Sequence, residues 1–133
     1  MVISIGSRSR RHVCACALLL IGVPALQAAA ADAILGTWLT DDGDSKVDIS
    51  AAKAADGSTV YGGKVIWLKE PQRDGKPLLD AKNADASLRG QPILGLQILS
   101  GFKPTAGGWS GGTVYSPRAG KSFPAELSIA PDG

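Results

Sequence analysis

From residue 33 onward, apolar positions come in short alternating runs separated by Gly, Pro, Asp and Asn. That pattern predicts antiparallel β structure. Residues 34–39 read as a first strand, and Asp41-Asp42-Gly43-Asp44 as the turn after it, because Asp side chains bond local backbone and Gly accepts positive φ. Residues 46–50 alternate with Val47 and Ile49 on one face. A polar connection ending in Asp56-Gly57 leads to a strand over 59–68, with Val65 and Trp67 expected on one face and Ile66 and Leu68 on the other. Gly62-Gly63 within it predicts a bulge or a sharp bend.

Residues 69–92 carry no strand pattern. So long an irregular stretch in a small domain is expected to be functional or to wrap the core. Asp85 is placed to cap one turn through Ser87, Leu88 and Arg89. The most apolar strand spans 93–102, with Leu96, Ile98 and Phe102 expected on one face and Leu99 opposite. Gly107-Gly108 and Pro117-Arg118-Ala119-Gly120 mark turns into strands over 109–115 and 122–129. In the last, Phe123, Ala125, Leu127 and Ile129 face inward, while Pro124, lacking an N–H, suits an edge or an outward bulge. The final Pro131-Asp132-Gly133 is a hairpin signal with no returning strand. It predicts either a chain cut short at a turn or an open edge that pairs with a partner.

The first thirty residues follow a different pattern. Arg8, Arg10, Arg11 and His12 precede an apolar run over 13–26, and Ala28-Ala29-Ala30-Ala31 offers small-residue cleavage sites. This is the layout of a helical signal peptide over 1–31, followed by a single domain over 32–133. The run is too short and too proline-broken for the roughly 20 residues of a membrane span. Cleavage near Ala30-Asp32 would send the domain to the periplasm or outside the cell, with membrane contact only in transit. Arg10-Arg11 leaves general and twin-arginine export both open.

Loss of that leader changes the chemistry on offer. Arg8, Arg10 and Arg11 leave, so Lys plus Arg falls from 14 to 11 against 12 acidic residues, and the net charge moves from +2 to −1. The electrostatic case for nucleic-acid binding goes with it. Cys14, Cys16 and His12, the only cysteines and the only histidine, leave as well. Triads built on His, His- or Cys-held zinc or haem, and disulfides are thereby excluded from the domain. No catalytic residue, metal site or cofactor is assigned, and an enzyme would have to work with carboxylates, Lys, Tyr or Ser.

Several blocks then fall into a familiar order: Gly36-Thr37-Trp38, Gly63-Lys64-Val65-Ile66-Trp67-Leu68, Asp74-Gly75-Lys76-Pro77, Leu88-Arg89 and Pro92-Ile93-Leu94-Gly95-Leu96. In order and spacing they resemble bacterial domain-of-unknown-function (DUF) family 2147. The resemblance implies an exported protein with an all-β, antiparallel, lipocalin-like barrel, here incomplete at its C-terminus. It gives Gly36, Trp38 and Gly63 structural roles, with Trp38 plugging the closed end. Where relatives carry a cysteine pair, this chain has Gly62 and Ala125.

Three function classes are carried forward. The first is a binding module for a small, partly apolar ligand, with Tyr61, Trp67, Asp80, Asn83 and Arg89 as candidate contacts at a barrel mouth. The second is an envelope protein-interaction or structural module using a sheet edge or the 69–92 loop. The third is an enzyme in which two of the loop carboxylates Glu70, Asp74, Asp80 and Asp85, with Lys82 and Arg89 nearby, do acid/base work on a glycan; the same residues equally admit a buried Asp–Arg pair that pins the loop. Asp41, Asp42 and Asp44 lack the spacing of a calcium loop and read as a solvated turn.

Overall fold

The computed structural model describes residues 2–5 and 31–130. Of the helical signal peptide expected over 1–31 only 2–5 and Ala31 are described, and 2–5 form a strand, not a helix; the Pro131-Asp132-Gly133 turn lies outside the described residues. Among the described residues, nine strands follow in chain order: β1 (Val2–Ile5), β2 (Gly36–Leu39), β3 (Ser45–Lys53), β4 (Thr59–Leu68), β5 (Gln72–Arg73), β6 (Lys76–Pro77), β7 (Gln97–Thr105), β8 (Gly108–Ser116) and β9 (Lys121–Ile129). Single 3-10 turns occupy Asp32–Ile34 and Ala86–Leu88. The main sheet runs β1-β9-β8-β7-β4-β3-β2, and β5 and β6 form a separate hairpin. From β2 to β9 all pairings are antiparallel, while β1 runs parallel to β9 along Glu126–Ile129.

The fold is therefore all-β, but among the described residues no pairing joins β2 to the β9 side, so the sheet stays open. Its curl brings two turns together at one end. Arg118, after β8, reaches Asp44 and Asp42, after β2, at 3.2 and 3.7 Å. All three side chains are substantially exposed, so these pairs add little stability.

One face of the sheet carries the core: Trp38, Val47, Ile49, Tyr61, Val65, Leu99, Phe102, Trp109, Ala125 and Leu127. The Asp32–Ile34 turn closes it. Ile34 is fully buried, the Trp38 indole donates to the Ile34 carbonyl at 2.6 Å, and Trp109 donates to the Ala31 carbonyl at 3.1 Å. The Tyr61 hydroxyl donates to Asp32 at 2.9 Å. Glycine permits the tight packing. A Cβ at Gly63 would press on Val47 and Leu99, and one at Gly112 would enter the Phe102 ring.

Bulges reset the alternation, and two of them correct an expectation. At Ile66 an extra residue enters β4, so Val65 pairs with buried Val47 but Trp67 pairs with exposed Lys46. Trp67 therefore leaves the inner face, where Val65 stays, and lies 40 % exposed with the Lys46 ammonium 5.3 Å from its ring. In β7, Gly101 at φ 75° adds a residue between the Tyr61–Phe102 and Gly63–Leu99 pairs. Leu99 thus shares the buried face with Phe102 instead of lying opposite it. Gly111, at φ 74°, shifts β8 against β9 in the same manner. One extra residue in a ladder turns a strand by one face and tightens the curl.

Elsewhere the alternation holds. Val47 and Ile49 are buried, as are Ala125 and Leu127, while Pro124 is exposed and lies outside the part of β9 that pairs with β1. Residues 69–92 are less irregular than expected. Asp74 and Gly75, both at positive φ, turn the β5–β6 hairpin, a use of Asp-Gly that fits a two-residue loop.

Candidate functional site

The segment between β4 and β7 folds back on itself before it meets the sheet. The Asp80 amide donates to the Gln91 carbonyl at 2.8 Å, the Ile93 amide to the Leu78 carbonyl at 2.9 Å, and Leu79 bridges Pro92. Asp85 caps the Ala86–Leu88 turn by accepting from the Ser87 amide and hydroxyl at 2.9 and 2.7 Å. The Ser87 hydroxyl first, then its amide, hold the Asp85 carboxyl below its usual range. Arg89 donates to the Asn83 carbonyl at 2.7 Å. The segment returns through the Gly95 amide and Leu96 carbonyl, which bond Val65.

Asp80 locks this flap onto the sheet. It is the one charged side chain buried among the described residues, at 0 % exposure. The Tyr115 hydroxyl, from β8, lies 2.8 Å from both its oxygens, and the Asn83 amide donates to it at 2.7 Å. Among the described residues no cation reaches it within 4 Å. The buried pair that pins the loop is thus Asp–Tyr, not the Asp–Arg pair that the sequence suggested; Arg89 is spent on backbone. Burial, then the hydrogen bond to Asp80 and its charge, push the Tyr115 phenol up to about 12. A second clamp lies at the turn after β8. The Ala84 amide donates to the Gly120 carbonyl at 3.3 Å, and Gly120 sits so close to the Lys82 carbonyl that no Cβ fits.

Between flap and sheet lies a cavity of about 250 Å3. Its sheet side is the outer face, with Ser100 of β7, Thr113 and Tyr115 of β8 and Ser122 of β9, joined by Ile98 of β7, which also packs against the core. Its flap side is Asn83, Leu88 and Gln91, with Leu96 and Gln97 at the edge. The walls mix neutral hydrogen-bonding groups with an aliphatic floor. Among the described residues no group of three or more acidic, Cys or His side chains could hold a metal ion.

Of the five candidate contacts, Asp80 and Asn83 come together here, Asn83 in the wall and Asp80 behind it. Arg89 braces Asn83 from outside. Tyr61 lies across the sheet in the core, 2 % exposed and edge-on to Trp109, and Trp67 stands on the outer face of β3 and β4. These two do not join the others. Tyr115 and the hydroxyls of Thr113 and Ser122 went unnoticed in the sequence. The only signal was an aromatic on the polar face of an alternating strand, one residue after Val114.

The chain matches, over residues 36–133, a family described as uncharacterized protein conserved in bacteria (DUF2147). It belongs to that family. The DUF2147 match begins at Gly36, whose φ of 110° starts β2, and takes in every strand from there on, the flap and the whole pocket. Nothing matches the chain among curated proteins or among solved structures. The family description carries no activity, so the functional reading rests on the site.

Proposed function

We propose that this DUF2147 protein is an exported binding module whose small, partly apolar ligand seats between the flap and the outer face of β7–β9. The observation that carries the reading is the cavity itself, with neutral polar walls around an aliphatic floor, held open by a flap clamped at Asp80 and Gly120. Small-ligand sites combine these features. Among the described residues the inner face is filled by the core, into which Tyr61, Phe102 and Trp109 pack. Export to the periplasm or the medium follows from the leader pattern in the first 31 residues.

Native mass spectrometry of protein recovered from an envelope fraction tests both parts. The expected result is a chain shortened to begin near Ala31, carrying a bound small molecule that is lost when Thr113→Trp fills the cavity. A full-length chain in the cytosol overturns the export reading. A processed chain with no bound mass from any growth condition overturns the binding reading.

A second reading, contact with an envelope protein, draws on a different surface. Leu39, Lys46 and Trp67 lie in register across β2, β3 and β4, with Leu39 and Trp67 both more than 40 % exposed or at that level, and Ile66 48 % exposed beside them. Photo-crosslinking in cells from position 67 tests it, and a spectrum of unrelated products counts against it.

A further inference from the structure

The pocket walls constrain the chemistry of an occupant. Among the described residues no Lys, Arg, Asp or Glu lines the cavity. Asp80 lies behind the wall with its oxygens committed to Tyr115 and Asn83. The Asn83 side chain is itself committed, donating to Asp80 and accepting from the Asp85 amide at 2.9 Å. Gln97 donates to the Ser100 hydroxyl at 3.1 Å. That leaves Gln91, Thr113 and Ser122 as polar side chains that face the space with no partner among the described residues. Two are hydroxyls and one is an amide, so each can both donate and accept.

An ion placed here would lose part of its water and gain no opposite charge in return. A purely apolar ring would strand the same three groups against carbon. A neutral ring with hydroxyls on its rim and C–H groups on its face satisfies both walls, the rim against Gln91, Thr113 and Ser122 and the face against Leu88, Leu96 and Ile98. The volume of about 250 Å3 falls below the range of sites for drug-sized ligands, which suits one ring and not a chain of them.

We infer that the pocket takes a neutral polyhydroxylated ring, a single sugar unit, standing on Leu88, Leu96 and Ile98 with its hydroxyls on Gln91, Thr113 and Ser122. This rests on the binding reading above and narrows it to a ligand class.

The test is amide NMR on protein recovered from cells, titrated with five probes. Methyl glucoside and methyl galactoside are neutral, glucuronate and glucosamine are charged rings of matched size, and cyclohexanol is an apolar ring. The expected result is saturable shifts at the Thr113, Tyr115 and Ser122 amides with at least one neutral glycoside, at least tenfold tighter than with either charged sugar or cyclohexanol. Thr113→Trp, shown to be folded by its own spectrum, should abolish them. Equal or tighter binding of a charged sugar or of cyclohexanol at the same amides overturns the sugar assignment and leaves the binding reading standing. Shifts that survive Thr113→Trp place the sugar elsewhere and overturn it too. No shift with any probe overturns the sugar assignment, and if native mass spectrometry also finds no bound mass, the binding reading falls with it.

Discussion

Replacing Tyr115 with Phe removes one oxygen and leaves the ring in place, which isolates the clamp on Asp80. That oxygen lies 2.8 Å from both carboxylate oxygens of a side chain with no solvent exposure. A hydrogen bond to a charged group is worth about 1.5–3 kcal/mol, and a buried acceptor stripped of its donor stands at the upper end of that range. After Tyr115→Phe only Asn83 still donates a side-chain proton to Asp80. The expected loss is therefore about 3 kcal/mol. A domain of this size has a total stability of about 5–15 kcal/mol, so the change is large. It corresponds to a fall in Tm of about 12–24 °C for a chain near 100 residues.

Urea unfolding followed by tryptophan fluorescence reads the loss if the flap and sheet unfold together. If the flap opens alone, the loss appears as faster amide exchange at Ala84, whose bond to Gly120 holds the flap down. A double-mutant cycle with Asp80→Asn assigns the effect to the pair, with an expected coupling of about 2 kcal/mol for contacting residues. If Tyr115→Phe shifts the urea midpoint by less than the equivalent of about 0.5 kcal/mol, typical of an unconnected surface site, and leaves amide exchange unchanged, the clamp is refuted. Additive single changes refute it as well.

Three further outcomes follow from the same geometry. The Tyr115 phenol is raised to about 12 in the fold against an ordinary value of 10, so the native state holds this proton more tightly; its contribution is whole below pH 10, falls as pH rises from 10 to 12, and is absent from the pH profile of Tyr115→Phe, which should be flatter over that window. Gly120→Ala combines a φ of 68° with a Cβ driven into the Lys82 carbonyl; left-handed strain alone costs about 1–2 kcal/mol, and the clash should additionally release the flap, seen as rapid exchange at Ala84 with the core amides still protected. A recombinant chain beginning at Asp32 lacks the Ala31 carbonyl that Trp109 donates to, whereas one beginning at Ala31 keeps it; leaving the indole of a side chain 5 % exposed without an acceptor should cost about 1–3 kcal/mol, and equal urea midpoints for the two forms would contradict this.

The sequence shows the strands plainly and the faces only in part. Alternation fixes faces within an unbroken ladder, which is why Val47 with Ile49 and Ala125 with Leu127 fall where expected. It cannot carry a face across a bulge. Gly101 and Gly111 have no neighbours that mark them as extra residues, and Ile66 looks like an ordinary strand position. One such residue moves Trp67 to the outer face, and another turns Leu99 inward beside Phe102. The site was half legible for a related reason. Asp80, Asn83 and the Asp85 cap stand out as polar groups in a long loop, with local bonds that sequence spacing can suggest. Thr113, Tyr115 and Ser122 look like the solvent side of two strands, and only the flap that covers that side, from some thirty residues away, makes them a wall.

The two faces of the sheet are held by different forces, and the difference bears on function. Inside, aromatic and aliphatic side chains pack closely, with glycines at 63 and 112 giving way to their neighbours. Outside, the flap is fastened by a carboxylate that has no cation beside it among the described residues. For holding a loop down this is a poor device, since burying a charge is costly and an apolar contact of the same size serves as well or better. What the carboxylate does that an apolar side chain could not is fix two others in direction. It holds the Tyr115 ring through the hydroxyl and the Asn83 amide through its nitrogen, and both line the cavity. Tyr115 and Asn83, each bonded at the back, have little freedom to collapse into the space in front, as a preformed binding site requires. Under the binding reading Asp80 is thus a positioning residue, and Asp80→Asn should weaken ligand binding more than it weakens the fold, the reverse of what a simple loop fastener would give.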